Sequence, residues 1–187
     1  QEHGVGIGAH PSYPDLNGFG RRNMAATPEE VRNDVVYQAG ALSAFTAEKR
    51  LQHVKPHGAM YNQAVNDVEL GKSICEAVLE VQSDAVLLAL SGSKWIDVAE
   101  GLGMRVAREV FADRAINSDG TLVSRSLPGS VIHDTSEVVE RSLLMVKEGK
   151  IRSVEGVEVE VMADSICLHG DTPGAVDMAR SLRSAFE

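Results

Sequence analysis

Apolar and polar positions along the chain follow two periods. Val31, Val35, Leu42 and Phe45 recur near helical spacing. Ahead of them Thr27-Pro28-Glu29-Glu30 offers a cap, a proline suited to the first helical turn and the glutamate of a capping box. The pattern predicts a helix from there to about Glu48. Further helices are predicted from Asn66, paired with Glu69 as a capping signal, to about Val81; from Trp95 to Leu102; from Asp134 and Glu137 to Gly149; and after Thr172-Pro173. Short apolar runs at Val5–Ala9, Leu51–Lys55, Ala85–Leu90, Arg105–Phe111 and Ser165–His169 read as strands. Ala85–Leu90 is apolar at every position, as in a central parallel strand covered on both faces. Residues 56–62 read as irregular, Ala112–Val131 as a long polar loop with a turn at Asp119-Gly120, and Ile151–Val161 as a hairpin broken at Glu155-Gly156. Strands alternating with helices imply a parallel sheet or barrel. With no repeat, low-complexity stretch or charged linker, residues 1–187 read as one α/β domain.

Composition narrows the partners. The formal net charge of −9 argues against a phosphate backbone as ligand, and 4% aromatic residues are too few for a stacking platform. The longest apolar run, Ala85–Leu90, falls far short of the roughly 20 residues a membrane helix needs. Cys75 and Cys167 match no zinc spacing and read as free thiols of a cytoplasmic protein. The chain opens Gln1-Glu2-His3-Gly4, without an initiator Met or a signal-peptide pattern. That reads as a helix end and a glycine stop before a strand, as if earlier elements had been removed.

Chemistry in α/β folds collects at the carboxyl ends of the strands, and those ends are unusually polar in this chain. The first strand runs into Gly8-Ala9-His10-Pro11-Ser12-Tyr13-Pro14-Asp15, and the second into Lys55-Pro56-His57-Gly58. The fourth carries Glu109, Asp113 and Arg114; the last gives His169-Gly170-Asp171-Thr172-Pro173. Any one histidine could be a loop cap or a carbonyl partner, but His10, His57 and His169 occupy equivalent places on three strands. His3, His53 and His133 lack that company and read as structural or surface residues. Lys55 beside Pro56 has little freedom to swing outward. Glu109 and Asp113 could equally pair with Arg108 or Arg114, and Asp171 could cap the final helix. Walker, Gly-x-Ser-x-Gly, His-Glu-x-x-His and Cys-x-x-Cys patterns are missing from the sequence. Scattered histidines and carboxylates suit metal-assisted or general acid/base hydrolysis. Arg21 and Arg22, beside Gly18 and Gly20, are the local candidates for gripping a carboxylate or phosphate.

Five stretches together resemble the LamB/YcsF lactam-utilisation family: Gly8–Asp15, Gly18–Arg22, His53–Asn62, Glu109–Arg114 and Cys167–Pro173. They run in order over nearly the whole chain. The resemblance implies a distorted parallel β/α barrel of the glycoside hydrolase/deacetylase type, incomplete here because the family's first two β/α units, with their Asp-Leu-Asn and Ala-Cys-Gly-x-His-Ala-Gly motifs, are missing. It implies a subunit of a 5-oxoprolinase that opens 5-oxoproline to L-glutamate with ATP and magnesium, together with other subunits. The catalytic set would be Lys55, His57, Glu109, Asp113, His169 and Asp171, with His57 or His169 as base and Lys55 as electrostatic partner. Arg21, Arg22, Tyr61 and Asn62 would bind substrate or nucleotide. By the deacetylase analogy His10 would be the remaining ligand of a divalent metal whose other ligands lie in the missing motifs. Two readings compete: a metal-dependent deacetylase or amidase without ATP, and a scaffold subunit without catalysis. Apolar strand edges left by the missing units predict self-association, and all the strand-end candidates are expected to line one cavity.

Overall fold

The computed structural model describes residues 3–187. The expected helix end at Gln1-Glu2 lies outside the described residues. Two compact units divide the chain: one runs through Ala89 and takes in Ser93–Ala107, and the other comprises Leu90–Gly92 with Arg108–Glu187. The strands are β1 (Gly8–Ala9), β2 (His53–Val54), β3 (Val86–Leu90), β4 (Arg105–Phe111), β5 (Lys150–Arg152), β6 (Glu158–Glu160) and β7 (Ser165–Cys167). Five of them form one parallel sheet in the order β1-β2-β3-β4-β7, while β5 and β6 make a separate antiparallel hairpin. The α/β class and the parallel sheet are those the sequence predicts.

In the first unit α1 (Pro28–Ser43) starts at the predicted capping box, with the Thr27 hydroxyl accepting from Glu30 N and the Glu30 carboxylate accepting from Thr27 N at 2.8 Å. It buries Val31, Val35 and Ala39, one face at helical period, against α3 (Val68–Val81). The helix ends at Ser43 rather than near Glu48. The Thr46 hydroxyl donates to the Ser43 carbonyl and closes the last turn, and Glu48 and Lys49 take left-handed backbone. Phe45, read as continuing the helical spacing, lies beyond the helix and is 88% exposed. The cap of α3 is Asp67, whose side chain accepts from Leu70 N, one residue beyond the expected Asn66. The stretch read as irregular contains a helix, α2 (Gly58–Ala64). Trp95 at the start of α4 (Trp95–Gly101) is fully buried, where a side chain of its size contributes roughly 3 kcal/mol or more by burial.

Strand β4, whose residues from Arg108 onward belong to the second unit, has the predicted bounds. The segment read as a polar loop is folded back on itself by bridges Arg114↔Val131 and Ile116↔Leu122, and it buries Ala112 through Ile116. Helix α5 (Thr135–Lys147) has the predicted Asp134 cap, accepting from Glu137 N. It packs on α6 (Ala175–Phe186) through Val138, Met178 and Leu182. The start of α6 lies beyond Thr172-Pro173, because Gly174 at φ 81° forms the N-cap without a side-chain bond. Asp171 therefore does not cap it.

Candidate functional site

The sequence candidates fall into two clusters, one within each unit. In the first, β1 delivers His10 and β2 delivers Lys55 and His57, and the rings of His10 and His57 meet edge to face at 4.7 Å. His10 Nδ1 lies 2.6 Å from the Lys55 carbonyl, and His57 Nε2 lies 2.8 Å from the Phe19 carbonyl. Carbonyls only accept, so both of these nitrogens donate. The inner contact joins His57 Nδ1 to His10 Nε2 at 2.9 Å.

The loop from Asp15 to Arg22 wraps this pair. Buried Asp15 accepts from Gly18 N at 2.9 Å and from the Arg22 guanidinium. The Arg22 bond holds the Asp15 carboxyl at about 2, well below its usual range. Arg22 is thus engaged within its own loop. Phe19 takes left-handed backbone at φ 55°, sets its ring edge-on to His57 at 5.2 Å, and carries the Arg21 guanidinium 5.1 Å above its centroid. Gly20 (φ 66°) and Gly58 (φ 58°) allow the loop to close on α2: the Gly20 carbonyl accepts from Ala59 N at 2.9 Å, and a Cβ on Gly58 would meet that same oxygen. Lys55 Nζ sits 5.9 Å from the Tyr61 ring centroid. Tyr61 is buried edge-on to Trp95, whereas Asn62 is exposed.

In the second unit the backbone register builds the other cluster. β4 and β7 pair Glu109↔Ser165, Val110↔Ile166 and Phe111↔Cys167. Extending that ladder by two residues sets Asp113 opposite His169, 56 positions on, the same offset. The ring Nδ1–H of His169 donates to Asp113 Oδ1 at 2.9 Å, and its backbone N–H to Oδ2 at 3.2 Å. The Thr172 hydroxyl donates to the same Oδ2 at 3.2 Å. Asp113 is wholly buried. Burial pushes its carboxyl up, but the bonds from His169 and Thr172 and the histidine's charge outweigh that and hold it below its ordinary value. Phe111 stacks on the imidazole at 5.9 Å and 23°. His169 Nε2 has no partner among the described residues, so the arrangement is a carboxylate-oriented imidazole with one nitrogen open to a proton.

The remaining candidates take other places. Glu109 on β4 is buried at 2% exposure, and Asp171 is exposed. Arg114 donates to the carbonyls of Ser130 and Val123, and Arg108 pairs with Asp164 at 3.5 Å. The hydrogen bonds to Asp113 come from His169 and Thr172 instead. Thr172 and Arg141 escape the sequence reading: Thr172 lies in the last motif but reads there as a helix start, and Arg141 is one arginine among others on a helix.

Both His10 nitrogens are engaged by a carbonyl and by His57, and no group of three or more His, Cys, Asp or Glu among the described residues is placed to hold a metal ion. No described helix is long and apolar enough to cross a membrane.

The parallel α/β fold agrees with what comparison with known proteins finds. The model of the LamB/YcsF family matches residues 1–187, and the chain belongs to that family. It is 51% identical over 189 residues to a 5-oxoprolinase subunit from Thermococcus onnurineus, covering 100% of this chain and 74% of that protein. To the protein of the same name from Coprothermobacter proteolyticus it is 55% identical over 179 residues, covering 95% and 69%. A crystal structure of a lactam utilization protein from Thermus thermophilus superposes with a TM-score of 0.88 at 47% identity, over 99% of this chain and 74% of that one.

Proposed function

We propose that this chain acts as one subunit of an ATP-dependent 5-oxoprolinase, opening the lactam 5-oxo-L-proline to L-glutamate with His169 as the general base. The relatives' shared name supports the reaction and a complex with other subunits. The observation that carries the assignment of the base is the Asp113–His169 dyad with its open Nε2. His57, the other candidate, has both ring nitrogens in hydrogen bonds.

An unstrained five-membered lactam resists water. Transfer of the γ-phosphoryl group of ATP to the amide oxygen would make that oxygen a leaving group. His169 Nε2 would then take a proton from water as the water oxygen bonds to the activated carbon, and Asp113 would stabilise the imidazolium. Collapse of that adduct cleaves the ring C–N bond, with a proton delivered to nitrogen, and leaves an acyl phosphate, which a second water hydrolyses to the open amino acid and inorganic phosphate. Within the first unit, Lys55, Arg21 and the His10–His57 pair are the candidates for binding a negatively charged group, a carboxylate or a phosphate. Arg22 supports the loop through Asp15. Glu109, Asp171, Tyr61 and Asn62 stay candidates for the same reaction, with Tyr61 acting through Lys55.

The test is glutamate formation by the chain assembled with its partner subunits, with and without ATP. His169→Ala should lower the rate by about 10²-fold or more, the usual worth of a general base, with assembly intact. Full turnover in His169→Ala would leave the chain a scaffold, and turnover without ATP would favour the amidase reading.

A further inference from the structure

Arg141 lies in no motif of the sequence, yet it is tied to the dyad. It sits on α5, and its Nη1 donates to two successive carbonyls at the end of β4, Phe111 at 2.7 Å and Ala112 at 2.6 Å. Those residues lead directly into Asp113, and the Phe111 ring is the one stacked on His169. One guanidinium nitrogen therefore fixes both orienters of the imidazole, the carboxylate below it and the ring beside it. Two bonds from a charged donor to neighbouring carbonyls leave that backbone little room to tilt. The Ala112 amide is held from the opposite strand by Cys167 O at 2.9 Å, so this peptide is gripped on both its groups.

The charge acts as well. Burial draws the Arg141 guanidinium down to about 10 while Glu137 and Asp113 hold it up, so it stays a cation at neutral pH and feels the Asp113 carboxylate. The other ionisable groups on the elements around the dyad are Arg105, Arg108 and Glu109 on β4, Arg114 after Asp113, Cys167 on β7, Asp171 after His169, Glu137, Glu140 and Lys147 on α5, and Asp177, Arg180 and Arg183 on α6.

We propose that Arg141 is a positioning residue for the Asp113–His169 dyad, clamping the Phe111 and Ala112 carbonyls and keeping a positive charge beside the pair. Its kinetic consequence rests on the proposed function, whereas its structural consequence does not. Clamp and charge separate by substitution. Arg141→Lys keeps the charge, but its shorter side chain cannot carry a donor to the Nη1 position between the two carbonyls, while Arg141→Gln removes the charge.

The experiment uses the full chain in two settings. Imidazole nitrogen NMR of the chain alone follows the His169 titration, and kcat/KM against pH is measured in the complex. Without a neighbouring cation the imidazolium is easier to form. In Arg141→Gln the His169 titration, and with it the acid limb of kcat/KM, should therefore move to higher pH. Arg141→Lys should leave that limb in place and lower kcat by roughly 10- to 100-fold through misplacement of the ring, with KM little changed. A His169 titration that is identical in wild type and Arg141→Gln, with both variants folded, overturns the proposal. So does full kcat in Arg141→Lys. If the wild-type complex has no activity on the lactam, the functional reading fails, and the NMR arm still decides the role of Arg141.

Discussion

Asp113→Asn perturbs the buried carboxylate that orients His169. The wild-type oxygens accept three hydrogen bonds, from the His169 ring, the His169 backbone and the Thr172 hydroxyl, at zero exposure. An amide offers one oxygen and one NH2. Whichever way it sits, its NH2 faces at least one group that is already a donor. Replacing charged bonds by neutral ones costs about 1–2 kcal/mol, and a buried donor left unmatched costs about 1–3 kcal/mol more. A loss near 3 kcal/mol corresponds to a fall of roughly 6–12 °C in Tm for a chain of this size. The native state holds the Asp113 carboxyl below its ordinary value of 3.8. Its contribution is thus complete above the unfolded value and is lost as pH falls through the native one. Thermal unfolding followed by circular dichroism at pH 7, and again stepwise below pH 4, should show a gap between wild type and Asp113→Asn that closes toward acid. An equal Tm at pH 7, or a gap that does not narrow below pH 4, would refute the claim that the buried carboxylate carries this stabilisation.

Gly58→Ala forces an L side chain into left-handed backbone at φ 58° against the Gly20 carbonyl; denaturant unfolding should show a loss of about 1–2 kcal/mol or more, and no loss would mean that the loop on α2 yields freely. Burial pushes the Cys75 thiol up to about 12, so it should not react with a disulfide reagent at pH 8 in the folded chain and should react on unfolding; prompt modification in the native state would contradict its enclosure.

Much of the fold was legible because local chemistry and packing agree. The bounds of β4, the Thr27 and Asp134 caps and the β5–β6 hairpin follow from patterns of neighbouring residues. Phe45 was misread because helical spacing continues in the sequence beyond the point where the Thr46 hydroxyl closes the chain onto Ser43. Helix α2 was missed because seven residues beginning at glycine carry too short a period to register. In the candidate site, the strand-end positions of His10, His57 and His169 were visible, but their different situations were not. His57 is closed by a carbonyl and a second imidazole, His169 is open, and that depends on partners 38 to 56 positions away. Arg141 was invisible for the same reason: its target is a pair of backbone carbonyls 29 and 30 positions earlier, which no side-chain motif records.

The ladder between β4 and β7 makes the dyad an inherited property of strand alignment. Asp113 and His169 face each other because Phe111 faces Cys167, and each lies two residues further along its own strand. A single-residue deletion inside either strand would turn every later side chain to the opposite side and send one member of the pair away from the other. Length changes within the β5–β6 turn would be absorbed before β7 begins and would leave the alignment untouched. In an evolving lineage the two strands are therefore intolerant of insertions and deletions, while the hairpin between them is free to vary in length without disturbing the pair.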